Sequence, residues 1–412
     1  MERISARWRS LALSLCLVLL VCAGCSGATT AGKQTPSSAP TSVASPTVSS
    51  APSSTLDQRI DAYIARLTPA QQIGQTLMLA VYANAYNARL DQALTQWHLG
   101  SAIVFPNYNG GPLMPTTLAG MQGLVRDLQA HADTPLLLAT DEEGGLVDRL
   151  SFYYGVTPAP RQLAATGDPQ QAYAQAQTDA QRMRQIGFNV DFAPLADVDQ
   201  GGGIDASRTF GTSVPQVTTY AGAFLDGLQQ HGVAGTLKHW PGLGASSGNP
   251  DYTLPTVEHT RDQLNAIDFA SFQALLSHQP DMIMVTHVIV SAYDKQAPAS
   301  LSPVLVTQVL RKQLGYQGIV VTDAMDAQGL IDYMRQQGYA DPAQGIAEAC
   351  VRAFLAGDDL IEAPIEQDRL AATVAAMTQA VQSGRIAPAR LHEALHRIIR
   401  LKVQLGLLTL PY

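Results

Sequence analysis

Short apolar runs that alternate with longer amphipathic segments are the feature of this 412-residue sequence that most constrains its fold. The eight runs begin at Leu77, Ala102, Leu136, Val190, Ala234, Met282, Ile319 and Asp359. Segments with helical periodicity lie between them, for example at 171–186, 216–230, 261–277 and 303–314. Because strands that alternate with helices form parallel sheets, eight such units in about 300 residues predict an α/β fold, a TIM (β/α)8 barrel. We expect one catalytic domain over 56–412, with terminal helices at 366–405 packed on its outside.

The first 25 residues have the pattern of an export signal rather than of a folded element. Three arginines precede an apolar run at 11–23 that is too short for a permanent membrane span. The run ends in the sequence CAGC at 22–25, which resembles a bacterial lipoprotein processing site with Cys25 as the lipidated residue. We therefore expect an exported lipoprotein held at the outer side of the cell membrane through Cys25, with simple secretion as the alternative.

Residues 26–55 are almost entirely Ser, Thr, Pro, Ala and Gly, and Lys33 carries their only charge. This composition cannot form a core, so it predicts a disordered linker with a random-coil reach of roughly 30 Å. A linker of this reach would hold a domain away from a membrane. The alternative is a disordered N-terminal segment without a tethering role.

The cysteine content argues against an intramolecular disulfide, and the charge argues against nucleic acid as a partner. After Cys25 the only cysteine is Cys350, so the exported protein would contain no intramolecular disulfide and would depend on its hydrophobic core. The formal net charge is −8 and the chain has no basic run, which excludes nucleic acid as a partner. We expect a monomer.

Polar side chains follow five of the predicted strands, at the point where each strand ends. They are Asp141 after the third strand, Asp197 and Asp199 after the fourth, Lys238 and His239 at the fifth, His287 after the sixth and Asp323 after the seventh. The carboxyl ends of the strands form the active-site face of a TIM barrel, so these side chains are expected to line one pocket. Each alone is also explained as a helix cap or a turn former, but five strand ends together favour a site.

The residue types at these positions restrict the chemistry. No cluster of ligands has the spacing of a metal site, and no GxSxG motif, P-loop or strand-borne GxGxxG motif is present. No metal or cofactor is therefore expected. Carboxylates among Lys, Arg and His suit glycoside cleavage, in which one carboxylate attacks the anomeric carbon and an acid protonates the leaving oxygen.

Ordered motifs across nearly the whole folded part resemble glycoside hydrolase family 3, specifically its single-domain β-N-acetylglucosaminidase branch. The motifs are LTPAQQIGQTLML, DEEGGLVDRL, DFAPLADVD, RTFG, KHWPGLG, MVTHV, LSPVLVTQVLRKQLGYQGIVVTDAM and AGDDLI. The resemblance implies a retaining mechanism in which the aspartate that ends the seventh strand, Asp323, is the nucleophile. It also implies that the sugar is bound by Asp141, Arg149, Arg208, Lys238 and His239.

These roles have structural alternatives. Asp323 would otherwise cap the following helix, and Asp141 would otherwise form a turn. Arg149 and Arg208 would otherwise do no more than pair with acidic neighbours. His287 is expected to support the site from behind the residues that contact the sugar.

The loop after the fifth strand, KHWPGLGASSGNPDYTLP, departs from the family pattern. In the β-N-acetylglucosaminidase branch this loop carries an aspartate and a histidine two residues apart, which serve as the acid–base dyad. Here Asn249 and Asp251 occupy those two positions, and Leu243 replaces a histidine nearer the strand. The expected dyad is therefore absent.

Three interpretations of this departure follow. We favour the first, in which Asp251 is itself the general acid and base, because a carboxylic acid facing the leaving oxygen is common in retaining glycosidases. In the second, Glu258 or His259 takes the role, or the leaving group needs little protonation. In the third, the protein binds sugars without turning them over.

The sequence thus predicts an enzyme that releases non-reducing terminal β-linked N-acetylglucosamine from peptidoglycan fragments or chitin-like oligomers. The alternatives are a β-glucosidase or xylosidase of the same family, and a carbohydrate-binding lipoprotein without activity.

Overall fold

The computed structural model describes residues 55–105, 114–364 and 366–411. The predicted signal segment, the lipidation site Cys25 and residues 26–54 of the predicted linker lie outside the described residues. Thr55, assigned to the linker, is instead the N-cap of the first helix, and its hydroxyl accepts a hydrogen bond from the backbone amide of Gln58 at 3.3 Å. Within the described ranges, none of the helices combines the length and apolarity that crossing a bilayer requires.

Eight strands lie at or next to the positions of the predicted apolar runs. In chain order they are β1 (Leu77–Val81), β2 (Ser101–Val104), β3 (Leu137–Thr140), β4 (Val190–Asp191), β5 (Ala234–Trp240), β6 (Met282–Val285), β7 (Ile319–Thr322) and β8 (Ile361–Glu362).

The eight strands form one parallel sheet in the order β7-β6-β5-β4-β3-β2-β1-β8. The two ends of this sheet meet through a parallel bridge between Val321 of β7 and Leu360, which directly precedes β8. Two hydrogen bonds support the bridge, from Leu360 N to Val320 O at 3.1 Å and from Thr322 N to Leu360 O at 3.0 Å. The sheet therefore closes into the predicted (β/α)8 barrel.

Helices separate the strands along the chain. The α-helices are Leu56–Ile64, Pro69–Gln75, Ala88–Thr95, Leu118–His131, Ser151–Tyr154, Pro160–Ala165, Pro169–Ile186, Val214–Gln229, Arg261–Gln263, Phe269–Leu275, Gln328–Gln336, Pro342–Ala356, Gln367–Gln382 and Pro388–Gln404. Short 3₁₀ helices lie at Ala206–Arg208, Leu276–His278 and Ala299–Leu301. The last two α-helices are the predicted terminal pair, separated by a turn that contains Gly384 with φ +75°.

Two of the predicted helices contain π-helical turns, at Leu264–Asp268 and over Val304–Gln313. Apolar residues at spacings of three and four predict a helix, but they do not distinguish the i→i+4 hydrogen-bond pattern from the wider i→i+5 pattern. The helical prediction was therefore confirmed, and the helix type was not predicted.

Alternate residues of each strand pack on opposite faces of the barrel wall. In β1, Leu77 and Leu79 belong to the large cluster between the strands and the helices, whereas Met78 belongs to a second cluster inside the barrel. Ile398 and Leu401 of the last helix are also part of the inner cluster. The period of two in strand side-chain direction thus fills the barrel with apolar groups and leaves the strand ends for polar residues.

Lys402, in the last helix, is completely buried. Its ammonium donates to Gln75 Oε1 at 2.6 Å and to the carbonyl of Gly100 at 2.8 Å. These two partners precede β1 and β2, so Lys402 lies at the amino-terminal end of the barrel. Burial lowers the pKa of Lys402 to about 7.

Candidate active site

A cavity of about 560 Å³ lies at the carboxyl ends of the barrel strands. It is lined by all seven residues predicted to act on the sugar: Asp141, Arg149, Arg208, Lys238, His239, Asp251 and Asp323. Residues from distant parts of the chain thus converge because parallel strands deliver their carboxyl ends to one face.

Three larger cavities, of about 630, 760 and 800 Å³, lie elsewhere on the protein. None of the three is lined by any of the predicted site residues. The position of charged residues, rather than cavity size, therefore identifies the functional site.

Lys238 is the centre of a charged network on the β3–β5 side of the cavity. Its ammonium lies 2.8 Å from Asp141 Oδ1 and 2.7 Å from Glu143 Oε1, and it is 2% exposed. Arg208 binds the same glutamate through two hydrogen bonds, from Nε at 2.8 Å and from Nη2 at 2.7 Å. The two cations are thus fixed in place before a substrate binds.

Glu143 remains ionised within this network although it is almost fully buried. Burial alone would raise the pKa of Glu143, but the charges and hydrogen bonds of Arg208 and Lys238 hold it well below its ordinary value. The pairing of Arg208 with an acidic neighbour, considered above as an alternative to sugar binding, is therefore present. Because Arg208 also lines the cavity, the two roles are compatible.

Arg149 differs from Arg208 in having an unpaired nitrogen. Its buried Nε has no hydrogen-bond partner among the described parts of the chain, and the residue lines the cavity. A buried donor without a partner is costly, so a ligand oxygen that accepts from Arg149 would remove that cost.

His239 is oriented by Asp197, which lies behind it. Asp197 Oδ2 is 2.7 Å from His239 Nδ1 and accepts from the backbone amide of His239 at 3.1 Å. The other carboxylate oxygen accepts from Leu243 N at 2.7 Å, which fixes the start of the loop. With Nδ1 engaged, Nε2 of His239 is the ring nitrogen that remains for a ligand.

Asp323 directly follows β7 and is half-buried at the floor of the cavity. Its Oδ2 accepts from Thr286 Oγ1 at 2.8 Å, and its Oδ1 accepts from the backbone amide of Ala324 at 3.0 Å. Burial would raise its pKa, but His287, His239 and these hydrogen bonds lower it. The following helix begins at Gln328 with Ala327 as its N-cap, so Asp323 is not a helix cap.

Three of the polar residues at strand ends do not line the cavity. His287 is fully buried, with Nδ1 2.7 Å from Ser300 Oγ and Nε2 2.9 Å from the carbonyl of Ala324. Asp197 supports His239, and Asp199 pairs with Arg161 at 2.7 Å. Asp197 and Asp199 therefore do not line the pocket as the strand-end pattern predicted, whereas His287 lies behind the cavity lining, which is the position predicted for it. They are drawn into hydrogen bonds that support the cavity wall.

Asp251 lies in the loop after β5, exposed at the mouth of the cavity. The loop is fastened to the helix Gln328–Gln336, because Gln328 N donates to Asp251 O at 3.1 Å and Gly329 N donates to Pro250 O at 3.3 Å. A Cβ atom at Gly329 would lie 2.0 Å from the carbonyl oxygen of Thr253, so only glycine permits this approach. Desolvation at the loop and then the charge of Asp323 raise the pKa of Asp251.

The two alternative acids, Glu258 and His259, do not line this cavity. Glu258 is exposed and accepts a hydrogen bond from Ser291 Oγ at 3.3 Å. His259 Nδ1 is held 2.7 Å from Asp268 Oδ2. Among the acids considered for the loop, the structure thus brings only Asp251 to the cavity.

The sequence and the barrel both match a known family. Residues 68–401 match the family described as Glycosyl hydrolase family 3 N terminal domain. The chain belongs to glycosyl hydrolase family 3. The resemblance inferred from the ordered motifs is thus confirmed.

Individual relatives of this family 3 protein are named as hexosaminidases. It is 30% identical over 412 residues to beta-hexosaminidase LpqI of Mycobacterium tuberculosis (strain ATCC 25618 / H37Rv), with 96% of this chain and 97% of that protein covered. It is 27% identical over 381 residues to beta-hexosaminidase A of Pseudoalteromonas piscicida, with 82% of this chain and 62% of that protein covered.

A solved structure agrees with the sequence comparison. The family 3 β-N-acetylglucosaminidase from Paenibacillus sp. str. FPU-7 has a TM-score of 0.76 at 31% identity, over 84% of this chain and 65% of that chain. The protein is therefore a glycoside hydrolase with the TIM-barrel fold, as predicted.

Several residues that line the cavity of this hydrolase were not predicted. They include Glu143, Glu362, Asp326, Tyr82 and Phe105. Tyr82 and Phe105 stack with ring centroids 4.7 Å apart, which gives the cavity an aromatic wall beside β1 and β2. Glu362 ends β8, so the rule that selected Asp323 at the end of β7 would also have selected Glu362.

Proposed function

We propose that this family 3 hydrolase is a retaining β-N-acetylglucosaminidase that removes non-reducing terminal β-linked N-acetylglucosamine from peptidoglycan fragments or chitin-like oligomers. One observation carries the proposal: two carboxyl groups with opposite pKa shifts, Asp323 lowered and Asp251 raised, line the same cavity. A pair of carboxyl groups whose environments separate their pKa values is the arrangement that a nucleophile and a general acid require. The names of the relatives, β-hexosaminidase and β-N-acetylglucosaminidase, support the choice of sugar.

In the first step, an oxygen of the Asp323 carboxylate attacks the anomeric carbon. The bond between that carbon and the glycosidic oxygen breaks, and Asp251 gives its proton to the departing oxygen. Asp323 suits this role because Thr286 and Ala324 hold its two oxygens and because its lowered pKa keeps it ionised. The product is a glycosyl ester on Asp323 and a free alcohol.

In the second step, the ionised Asp251 removes a proton from water, and the water oxygen attacks the anomeric carbon. The ester bond to Asp323 breaks, which releases the sugar and restores both carboxyl groups. Two displacements at one carbon retain its configuration. Exposure of Asp251 at the mouth of the cavity leaves room for the water to enter.

The remaining cavity residues would bind sugar hydroxyls. Lys238 and Arg208 keep donor hydrogens beyond those used in their ion pairs, and Asp141 accepts. Arg149 contributes the unpaired Nε described above. Because the network with Glu143 fixes these groups, little side-chain freedom is lost when the sugar binds.

The location of the enzyme is also part of this proposal. The signal pattern, Cys25 and the linker composition support a monomeric enzyme tethered by a lipid to the outer side of the cell membrane. Metabolic labelling with a radioactive fatty acid would test the anchor, with Cys25→Ser as the control variant. Secretion of unlabelled protein would contradict it.

Covalent trapping tests the proposed reaction. After incubation with a 5-fluoro analogue of an activated N-acetylglucosaminide, mass spectrometry should find one glycosyl group on the peptide that contains Asp323. Asp323→Asn should take up no label, whereas Asp332→Asn, the same change at a partly exposed position outside the cavity lining, should label normally. Absence of label in the wild-type protein, together with absence of nitrophenol release, would contradict the proposal and favour a carbohydrate-binding protein.

Comparison of nitrophenyl substrates tests the sugar. Hydrolysis of the N-acetylglucosaminide should exceed that of the glucoside and the xyloside in kcat/KM. The reverse order would favour the β-glucosidase or xylosidase alternative of the same family.

A further inference from the structure

A carboxyl group at the end of the eighth strand faces the same cavity. Glu362 is the last residue of β8, it is 3% exposed, and it lines the cavity together with Asp323. Its backbone is held on both sides, since Glu362 N donates to Thr322 Oγ1 at 3.0 Å and Met325 N donates to the carbonyl of Glu362 at 3.2 Å. These bonds fix the backbone of Glu362 at the end of the strand.

The charges that act on Glu362 are mostly negative. Asp323, Asp141 and Asp326 are its acidic neighbours, and Lys238 is the only cation among its main electrostatic influences. Lys238 is already bound to Asp141 and to Glu143. Within residues 55–105, 114–364 and 366–411, Glu362 forms no ion pair.

A buried carboxyl group among acidic neighbours, such as that of Glu362, keeps its proton. Burial, and then the charges of Asp323, Asp141 and Asp326, raise the pKa of Glu362 well above its ordinary value. A protonated carboxyl group donates one hydrogen bond and still accepts others, which an ionised carboxylate cannot do. Glu362 therefore differs chemically from Asp323, although both lie at the carboxyl ends of neighbouring strands.

The carboxyl group of Glu362 and the cations of the cavity lie on different sides of the barrel. Lys238, Arg149 and Arg208 come from β5 and from the loops after β3 and β4. Glu362 lies on the opposite part of the barrel wall, next to β1 and β7. A sugar bound between them would meet hydrogen-bond donors on two sides.

We propose that Glu362 is a specificity-determining residue, whose carboxylic acid donates a hydrogen bond to an oxygen of the bound sugar on the β7–β8–β1 side of the cavity. This inference rests on the proposed function, because it requires that the cavity hold a sugar. A site that uses a buried donor rejects a ligand without the matching oxygen more strongly than an apolar wall does.

The test measures binding of N-acetylglucosamine itself, which has no aglycone to lose, by titration calorimetry. Glu362→Leu removes the donor and keeps the approximate volume, so we expect the dissociation constant to rise tenfold or more. Glu362→Gln supplies an uncharged NH donor at the same place, so it should recover most of that loss, to within about threefold of the wild type. Glu393→Gln, the same change at an exposed position of the last helix, is the matched control and should leave binding unchanged.

The pH dependence of N-acetylglucosamine binding provides a second test. It would not differ between the wild type and Glu362→Gln if Glu362 had only a structural role. As pH rises above the raised pKa of Glu362, the wild-type protein should lose affinity, because the donor becomes an anion that repels sugar oxygens. Glu393→Gln should keep this loss, and Glu362→Gln should lack it.

Three results would overturn the inference while leaving the proposed function intact. They are equal binding by Glu362→Leu and the wild type, equal losses in Glu362→Gln and Glu362→Leu, and an unchanged alkaline loss in Glu362→Gln. Failure of the wild-type protein to bind N-acetylglucosamine or to hydrolyse its aryl glycoside would instead contradict the proposed function. Thermal unfolding of each variant confirms that the compared proteins are folded.

Discussion

The side-chain oxygen of Asn249 accepts a hydrogen bond from the backbone amide of Asp251 at 2.9 Å. The backbone carbonyl of Asn249 also accepts from Thr253 N at 3.1 Å, so this residue shapes a turn. In the position where an aspartate would orient a histidine, this chain uses an amide to hold the loop. The residue two positions later, Asp251, lines the cavity.

Replacement of Asp251 by asparagine should lower kcat/KM only for substrates with poor leaving groups. A phenol with several electron-withdrawing groups leaves without a proton, whereas a sugar or alkyl alcohol needs one, so we expect kcat/KM to fall about 10²- to 10⁴-fold only for poor leaving groups. Steady-state kinetics on a series of aryl and alkyl N-acetylglucosaminides measures this. Asp262→Asn, at an exposed position beyond the same loop, is the control. No loss on either kind of substrate would remove Asp251 from the mechanism.

Phosphate should not accelerate the enzyme. In the second step an ionised Asp251 would repel a phosphate acceptor by about 4 kcal/mol at 4 Å and an effective dielectric constant of 20. Water carries no charge, so hydrolysis is favoured over phosphorolysis. We expect nitrophenol release with and without phosphate to agree within about twofold, and product analysis to show free sugar. Strong acceleration with formation of a glycosyl phosphate would refute this.

Replacement of Glu143 by glutamine should destabilise the fold strongly. The change leaves Lys238 and Arg208 without their shared counter-charge, and removing one partner of a buried ion pair costs about 3–5 kcal/mol. Urea unfolding at neutral pH measures the difference. Glu348, which pairs with Arg352 and Arg385 nearer the surface, is the matched control, and Glu348→Gln should cost less than about 1 kcal/mol.

Glu143 should also make the free energy of unfolding sensitive to acid. Because the folded pKa of Glu143 is lowered, its stabilisation is complete above its unfolded pKa of about 4.3 and is lost as pH falls through that value toward the folded pKa. The free energy of unfolding of the wild type should therefore fall more steeply below about pH 4 than that of Glu143→Gln. Parallel curves for the two proteins would contradict the assignment of an ionised Glu143.

Lys402 should make stability rise with alkaline pH. Its folded pKa is about 7 and its unfolded pKa is about 10.4, so between these values the unfolded chain binds one proton more than the folded protein. Stability should increase by about 1.4 kcal/mol per pH unit across this window from this residue alone. Urea unfolding at intervals from about pH 7 to 10 should show the slope in the wild type and in Lys312→Met, an exposed control, but not in Lys402→Met.

The barrel was predictable because short apolar runs alternate with amphipathic segments along the chain, and polar residues follow five of those runs. The same regularity located Asp323, Lys238 and His239, because strand ends converge whatever the details of packing. Their chemical roles stay predictions. The departure of Asp251 from the family pattern was visible in the sequence, but its contact with the helix after β7 was not.

Other features depended on partners that the sequence does not identify. Glu143 is one of two adjacent glutamates, and only the structure shows which of them meets Arg208 and Lys238. Its neighbour Glu142 accepts a hydrogen bond from Leu150 N at 2.9 Å. Glu362 was missed because β8 is only two residues long and its apolar signal is weak. Asp197 and Asp199 were expected in the cavity because they follow the fourth predicted strand. Their sequence positions do not show that they instead bond to His239 and Arg161.

The attachment of the loop at Pro250 and Asp251 to the backbone of Gln328 and Gly329 has a mechanical consequence. Gln328 follows Asp323 closely in the chain, so the segment that carries Asp323 and the loop that carries Asp251 are joined by two backbone hydrogen bonds. We expect this link to make the two carboxyl groups move together whenever the rim of the barrel moves.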